Sequence, residues 1–134
     1  MGQLGWMGLA LPKAYGGEGL DFLSLIALIE EMGRVLLPGP FVSTVVGGAL
    51  TVAAAGSEAQ KQVLLPKVAR GELILTLAVG AEGGRLDAGG ISLRAVRAGA
   101  GYALTGSILM APDSQVADLI LCAADSRARG FLIG

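Results

Sequence analysis

The sequence predicts an α+β protein in which helices come first and strands second. Two changes along the chain carry that reading. Up to Gly71 the apolar residues recur at helical spacing between capping signals, and after Gly71 they form short continuous or alternating runs separated by glycine turns. Helices followed by strands point to two units in sequence, not to an alternating parallel sheet. The boundary falls near Gly71 to Leu75, giving a helical unit over 1–71 and a β unit over 72–134.

Met1 to Gly19 is glycine-rich, carries Pro12, and reads as irregular chain. Asp21 then caps a helix in which Phe22, Leu25, Ile26, Leu28, Ile29 and Met32 form the apolar side. Glu30, Glu31 and Arg34 face the opposite way, and Gly33 with Pro38-Gly39-Pro40 closes the element. Phe41 to Ala55 reads as a second helix, apolar nearly all round and so expected to be buried on every side, with Gly56 ending it. Ser57 and Gln60 form a capping-box pattern for a third helix, which Pro66 is expected to interrupt and Gly71 to finish. Leu73–Val79 is an apolar run of strand length. Ile91–Ala98 alternates, and Gly99-Ala100-Gly101 turns it into a second strand at Tyr102–Thr105, a hairpin. Leu119–Ala124 reads as a buried strand. Phe131–Ile133 looks like a strand ending with the chain, which suggests truncation or a partner completing the sheet.

Composition narrows the function. Of 134 residues, 53% are hydrophobic and 16% charged, and mean hydropathy is +0.66. That is more apolar surface than a chain of this size hides alone, so a further domain or a partner chain is expected. Ten basic residues face eleven acidic ones without clustering, which argues against nucleic-acid binding. There is no histidine and one cysteine. This excludes Ser-His-Asp and Cys-His catalysis, imidazole metal sites and internal disulfides. Cys122 reads as a small buried hydrophobe. No secretory leader pattern opens the chain, and a cytoplasmic location is expected. The uncharged stretch from Val35 to Ser57 is long enough to span a bilayer, but its prolines, glycines and hydroxyl residues favour a buried helix, so no membrane span is expected.

Four stretches carry a family resemblance. Leu4-Gly5-Trp6-Met7-Gly8-Leu9 with Pro12 and Tyr15-Gly16-Gly17-Glu18-Gly19-Leu20 is similar to a "G-x-x-P-x-x-Y-G-G-x-G" approach to a helix. Glu30-Glu31-Met32-Gly33-Arg34 resembles an "E-E-x-G-R" helix end. Gly56-Ser57-Glu58-Ala59-Gln60-Lys61 followed by Leu65-Pro66-Lys67-Val68-Ala69-Arg70-Gly71-Glu72 is close to "G-S-E-x-Q-K…L-P-x-x-A-x-G-E". Leu104-Thr105-Gly106 and Ala117-Asp118 match an "L-x-G…A-D" frame. Each is weak alone, but in this order and spacing they resemble the acyl-CoA dehydrogenases.

The resemblance implies a subunit of three parts: a helical N-terminal domain, a middle antiparallel β-barrel-like domain and a C-terminal four-helix domain. This chain would begin within the first, cover part of the second and lack the third. It implies FAD as cofactor and an acyl-CoA substrate oxidised at its CH–CH bond to the 2,3-enoyl-CoA. It further implies homo- or hetero-oligomeric partners and an electron-transfer acceptor. The family's proton-removing carboxylate belongs to the C-terminal domain, so no catalytic residue is assigned here and the chain alone is expected to be inactive. Glu82 reads as a surface turn residue.

The family's flavin segments place Val79, Ala81, Met110 and Pro112 at cofactor-contacting positions and Asp87 at a substrate position. Gly80-Ala81-Glu82-Gly83-Gly84-Arg85-Leu86-Asp87 stands in for "T-E-P-x-x-G-S-D", and Met110-Ala111-Pro112 for "W-[IV]-[ST]". Ala81 has no hydroxyl to donate, a loss of about 1 kcal/mol. Pro112 has neither a hydroxyl nor an N–H. The glycine-rich loop from Gly80 to Gly90 reads as a β-turn, not a phosphate cradle, because it lacks GxGxxG spacing and a Lys-Ser/Thr pair. Arg85, Arg94 and Arg97 are basic enough to meet a phosphate, but read better as exposed strand residues. A different reading, a non-catalytic subunit of a heteromeric dehydrogenase, follows from the Ala81 and Pro112 departures. A small apolar structural protein without ligand fits the ordered motifs least.

Overall fold

The computed structural model describes residues 1–80 and 91–125. The first twenty residues make three 3-10 turns, Gly2–Leu4, Trp6–Gly8 and Lys13–Tyr15. The segment is irregular, as predicted, yet firmly paired. Gly16, at φ 81°, closes the third turn. The chain then runs back along Gly8–Leu11, with Glu18 N–H bonded to Gly8 O at 3.0 Å and Gly19 N–H to Leu11 O at 2.9 Å. Gly17 makes that approach possible, because a Cβ there would lie 2.1 Å from the Leu11 carbonyl oxygen. The YGG motif is therefore a chain reversal, one glycine supplying conformation and the next supplying closeness.

Tyr15 ties this reversal to the third helix, its hydroxyl donating to the Glu58 carboxylate at 2.9 and 3.1 Å. That bond is the largest cause raising the phenol pKa above its ordinary value. A raised pKa means the stabilisation is whole below the unfolded value near 10 and fades as pH climbs through the folded value. Urea midpoints measured between about pH 9 and 11 should show this alkaline decline. Tyr15→Phe should flatten it.

Helix α1 (Phe22–Arg34) starts on Asp21, which accepts from the Ser24 N–H at 2.8 Å and the Ser24 hydroxyl at 2.6 Å. Leu25 and Met32 are buried and Leu28 and Ile29 half-buried. Phe22 and Ile26, expected on that side, are 54% and 45% exposed. The core reaches only one narrow stripe of the helix. Phe22 lies beyond its edge, and Ile26 is turned about 100° from Leu25. Arg34 pairs with Glu30 at 3.0 Å and Glu31 at 3.3 Å on the solvent side.

The helix runs one residue past Gly33. Leu36, at φ 48°, takes the left-handed position that usually belongs to glycine. Its N–H bonds to Gly33 O at 3.1 Å, and the Leu37 N–H bonds to Met32 O at 3.0 Å, the double closure of a Schellman end. Leu36 is 86% exposed, so its side chain returns little burial for that strain. Leu36→Gly is expected to stabilise the protein by about 1 kcal/mol, read as a higher urea midpoint.

The second helix is present over the predicted range, with a difference. Ser43–Ala49 is wound as a π-helix and α2 (Leu50–Ala55) continues it. Burial is not complete all round, since Val42 is 52% exposed. Gly56 separates α2 from α3 (Glu58–Ala69), which opens with the predicted Ser57/Gln60 capping box. Pro66 does not interrupt α3. Leu65, Val68 and Ala69 on either side of it are buried and hold the last turn in place, and the Pro66 carbonyl accepts the closing Arg70 N–H at 3.2 Å.

Strand β1 (Leu75–Ala78) pairs in parallel with β4 (Leu119–Cys122), Leu75 opposite Leu119. β2 (Leu93–Ala98) and β3 (Gly101–Thr105) form the predicted hairpin, and β5 (Ala124–Asp125) joins β2 in parallel. The class is α+β, as expected, but the antiparallel barrel is not seen. Two of the three pairings among the described residues are parallel, and these strands form two small open sheets. The strand is interrupted at Ala123, so the predicted Leu119–Ala124 strand becomes β4 in one sheet and β5 in the other. The predicted terminal strand Phe131–Ile133 lies outside the described residues.

The main core joins the two units. Leu25, Val45, Val52, Leu65, Leu75 and Leu121 are fully buried together. No helix among the described residues is long and apolar enough to cross a membrane.

Candidate functional site

β1 is pinned along its length to the chain that leads into and out of β4. The Ile74 N–H donates to Asp118 Oδ2 at 2.8 Å, and the Asp118 N–H returns to Ile74 O at 2.9 Å. At the far end the Ala123 N–H donates to Ala78 O at 3.2 Å. Between them, buried Thr76 donates its hydroxyl to the Pro112 carbonyl at 2.5 Å. On the other side of this loop, Ser43 of the π-helix donates to Asp113 Oδ2 at 2.6 Å, with the Pro40 carbonyl 3.0 Å away.

These contacts frame a cleft of about 330 Å³ whose walls are Val42, Ser43, Val46, Gly47, Thr76, Leu77, Pro112 and Asp113. The π-helix makes one wall, β1 the floor and the Pro112–Asp113 loop the other wall. Gly47 opens it, since a side chain there would extend toward Leu77, 3.6 Å away. A second, apolar cleft of about 380 Å³ lies between α1 and its return, bordered by Ile29, Met32, Leu36 and Phe41.

The described lining of the first cleft is mostly apolar. Its polar groups are two hydroxyls and one carboxylate, and each is engaged in holding the loop. No group of three His, Cys, Asp or Glu residues able to hold a metal exists among the described residues. Thr44, buried beside Ser43, has a hydroxyl oxygen with no partner among the described residues. Cys122 is half-buried, and burial pushes its thiol pKa up, in keeping with its reading as a small hydrophobe.

Of the residues singled out from the sequence, Pro112 lines the cleft, and its carbonyl accepts from Thr76. Val79 follows β1 directly and is half-buried, while Met110 is 69% exposed. Ala81 and Asp87 lie outside the described residues, as do Glu82 and Arg85. Arg94 and Arg97 are exposed strand residues. Ser43, Thr76 and Asp113 were not legible as site residues. A hydroxyl inside each apolar run and an acid directly after Pro112 were the available signals.

The family profile described as acyl-CoA dehydrogenase, N-terminal domain, matches residues 1–72, more than half of the 134. The chain belongs to the acyl-CoA dehydrogenase family. Acyl-CoA dehydrogenase FadE26 of Mycobacterium tuberculosis is 32% identical over 120 residues, covering 90% of this chain and 30% of that protein. Mitochondrial isovaleryl-CoA dehydrogenase of Bos taurus is 33% identical over 124 residues, covering 87% and 28%. Among solved structures, the ChsE4–ChsE5 complex from Mycobacterium tuberculosis superposes with a TM-score of 0.82 at 30% identity, covering 96% of this chain and 33% of that one. The Tcur3481–Tcur3483 steroid ACAD gives 0.78 at 32%, covering 98% and 35%. The chain thus spans about a third of the acyl-CoA dehydrogenases it matches.

Proposed function

We propose that this chain is the helical N-terminal and partial middle β portion of a flavin-dependent acyl-CoA dehydrogenase, one that oxidises an acyl-CoA thioester to the 2,3-enoyl-CoA. The observation that carries this is the cleft. The π-helix, β1 and the Pro112 loop meet there, and the last two lead to the segments where the family resemblance puts flavin contacts. FAD, when bound, supplies the acceptor for the hydride that leaves the acyl β-carbon. Val79, Met110 and Pro112 would give the ring apolar surface, and exposed Met110 suits that use. Asp87 stands at the substrate position by resemblance.

The chain's own residues supply shape and water exclusion, through Val42, Val46 and Leu77. The base that takes the α-proton is assigned outside this chain, because in the family it resembles that carboxylate belongs to the C-terminal domain. An electron-transfer acceptor, oligomeric assembly and a cytoplasmic setting belong to the same proposal.

One observation favours a second reading, a non-catalytic subunit of a heteromeric dehydrogenase. Pro112 presents no donor to a flavin and turns its carbonyl to Thr76. Two of the similar structures are described by paired subunit names. The complete protein, purified alone and with a co-expressed partner subunit, separates the readings. Yellow protein alone supports the enzyme. Colourless alone but yellow together supports the accessory subunit, and no flavin in either preparation rejects both.

A further inference from the structure

We propose that Ser43 and Asp113 are a positioning pair that fixes where the Met110–Pro112 segment stands beside β1, and with it the seat of the flavin; the last part rests on the flavin reading above. Pro112 has no N–H, so nothing can hold it by a backbone donor. The structure holds the loop on both sides of that gap. Thr76 grips the Pro112 carbonyl, and one residue on, Ser43 grips the Asp113 carboxylate across 70 positions of sequence. Asp113 is at φ 54°, a left-handed conformation that aspartate tolerates better than most residues. The loop closes with the Val116 N–H on Asp113 O at 3.1 Å.

The pair is asymmetric. A serine hydroxyl has one proton, and the carboxylate is the stronger acceptor, so the Pro40 carbonyl is the reserve partner. Weakening the acceptor at Asp113 leaves Ser43 bonded. Removing the Ser43 hydroxyl leaves a half-buried carboxylate without it and frees the loop.

The test uses the complete subunit, with its partner if flavin requires one, and follows amide hydrogen exchange and FAD titration. In Ser43→Ala, exchange across 110–118 should rise about fivefold and the FAD dissociation constant by a similar factor, the equivalent of one ordinary hydrogen bond. Amides of α3 should not change, and the visible flavin band should shift. Asp113→Asn keeps the left-handed tolerance and a carbonyl acceptor, and should stay within about twofold of wild type. Unchanged loop exchange in Ser43→Ala overturns the proposal, as does faster exchange with unaltered flavin affinity. If wild type binds no flavin under either condition, the cofactor reading fails separately, and the exchange ratio alone decides the positioning role.

Discussion

Gly17→Ala is expected to destabilise the protein by about 3 kcal/mol, the upper end for forcing a methyl into occupied space. The added Cβ would sit 2.1 Å from the Leu11 carbonyl oxygen and 2.5 Å from its carbon. Both are backbone atoms, and Leu11 is fully buried, so neither side can yield cheaply. The damage would spread through the bonds that run from Gly8 and Leu11 to Glu18 and Gly19. Gly16→Ala is the control. Nothing lies within 4 Å of a Cβ there, and only the φ of 81° opposes it, a cost of about 1 to 2 kcal/mol. Urea unfolding of both variants should rank Gly17→Ala well below Gly16→Ala. Equal losses would mean that the reversal needs glycine for conformation alone.

The second large effect lies at the π-helix. In Gly48→Ala the new Cβ would fall 2.3 Å from Leu75 Cβ, driving the helix off β1 at an expected cost of about 2 kcal/mol. In Gly47→Ala the nearest atom is Leu77 Cβ at 3.6 Å, an ordinary contact. There the helix-propensity gain of up to about 1 kcal/mol should leave stability level or slightly raised. The two adjacent glycines thus do separate jobs. Gly48 lets the helix pack, and Gly47 keeps the cleft open. Melting curves should move down for the first and not for the second.

Local signals were the legible part of this fold. Asp21, the Ser57/Gln60 box and the Gly99–Gly101 turn each act within a few residues, and each appears where the sequence placed it. Pro66 shows the limit of such reasoning, because the burial of Leu65 and Val68 comes from residues far away in sequence and overrides a local breaker. The parallel pairings were hidden for a related reason, while the β2–β3 hairpin was legible. An apolar run reports burial, not which neighbour it lies beside, so the parallel partnership of β1 with β4 left no mark. Among the residues that line the cleft, Pro112 alone was singled out from the sequence. Ser43, Thr76 and Asp113 acquire meaning by meeting across the two units, and each alone looks like a stray polar residue.

The most direct test of the functional account is anaerobic addition of acyl-CoA thioesters to the complete protein, with its partner subunit where flavin retention requires one. The account predicts bleaching of the visible flavin band with stoichiometric formation of a 2,3-enoyl-CoA. A yellow protein whose flavin no acyl-CoA bleaches, or whose bleaching yields no enoyl product, would contradict it.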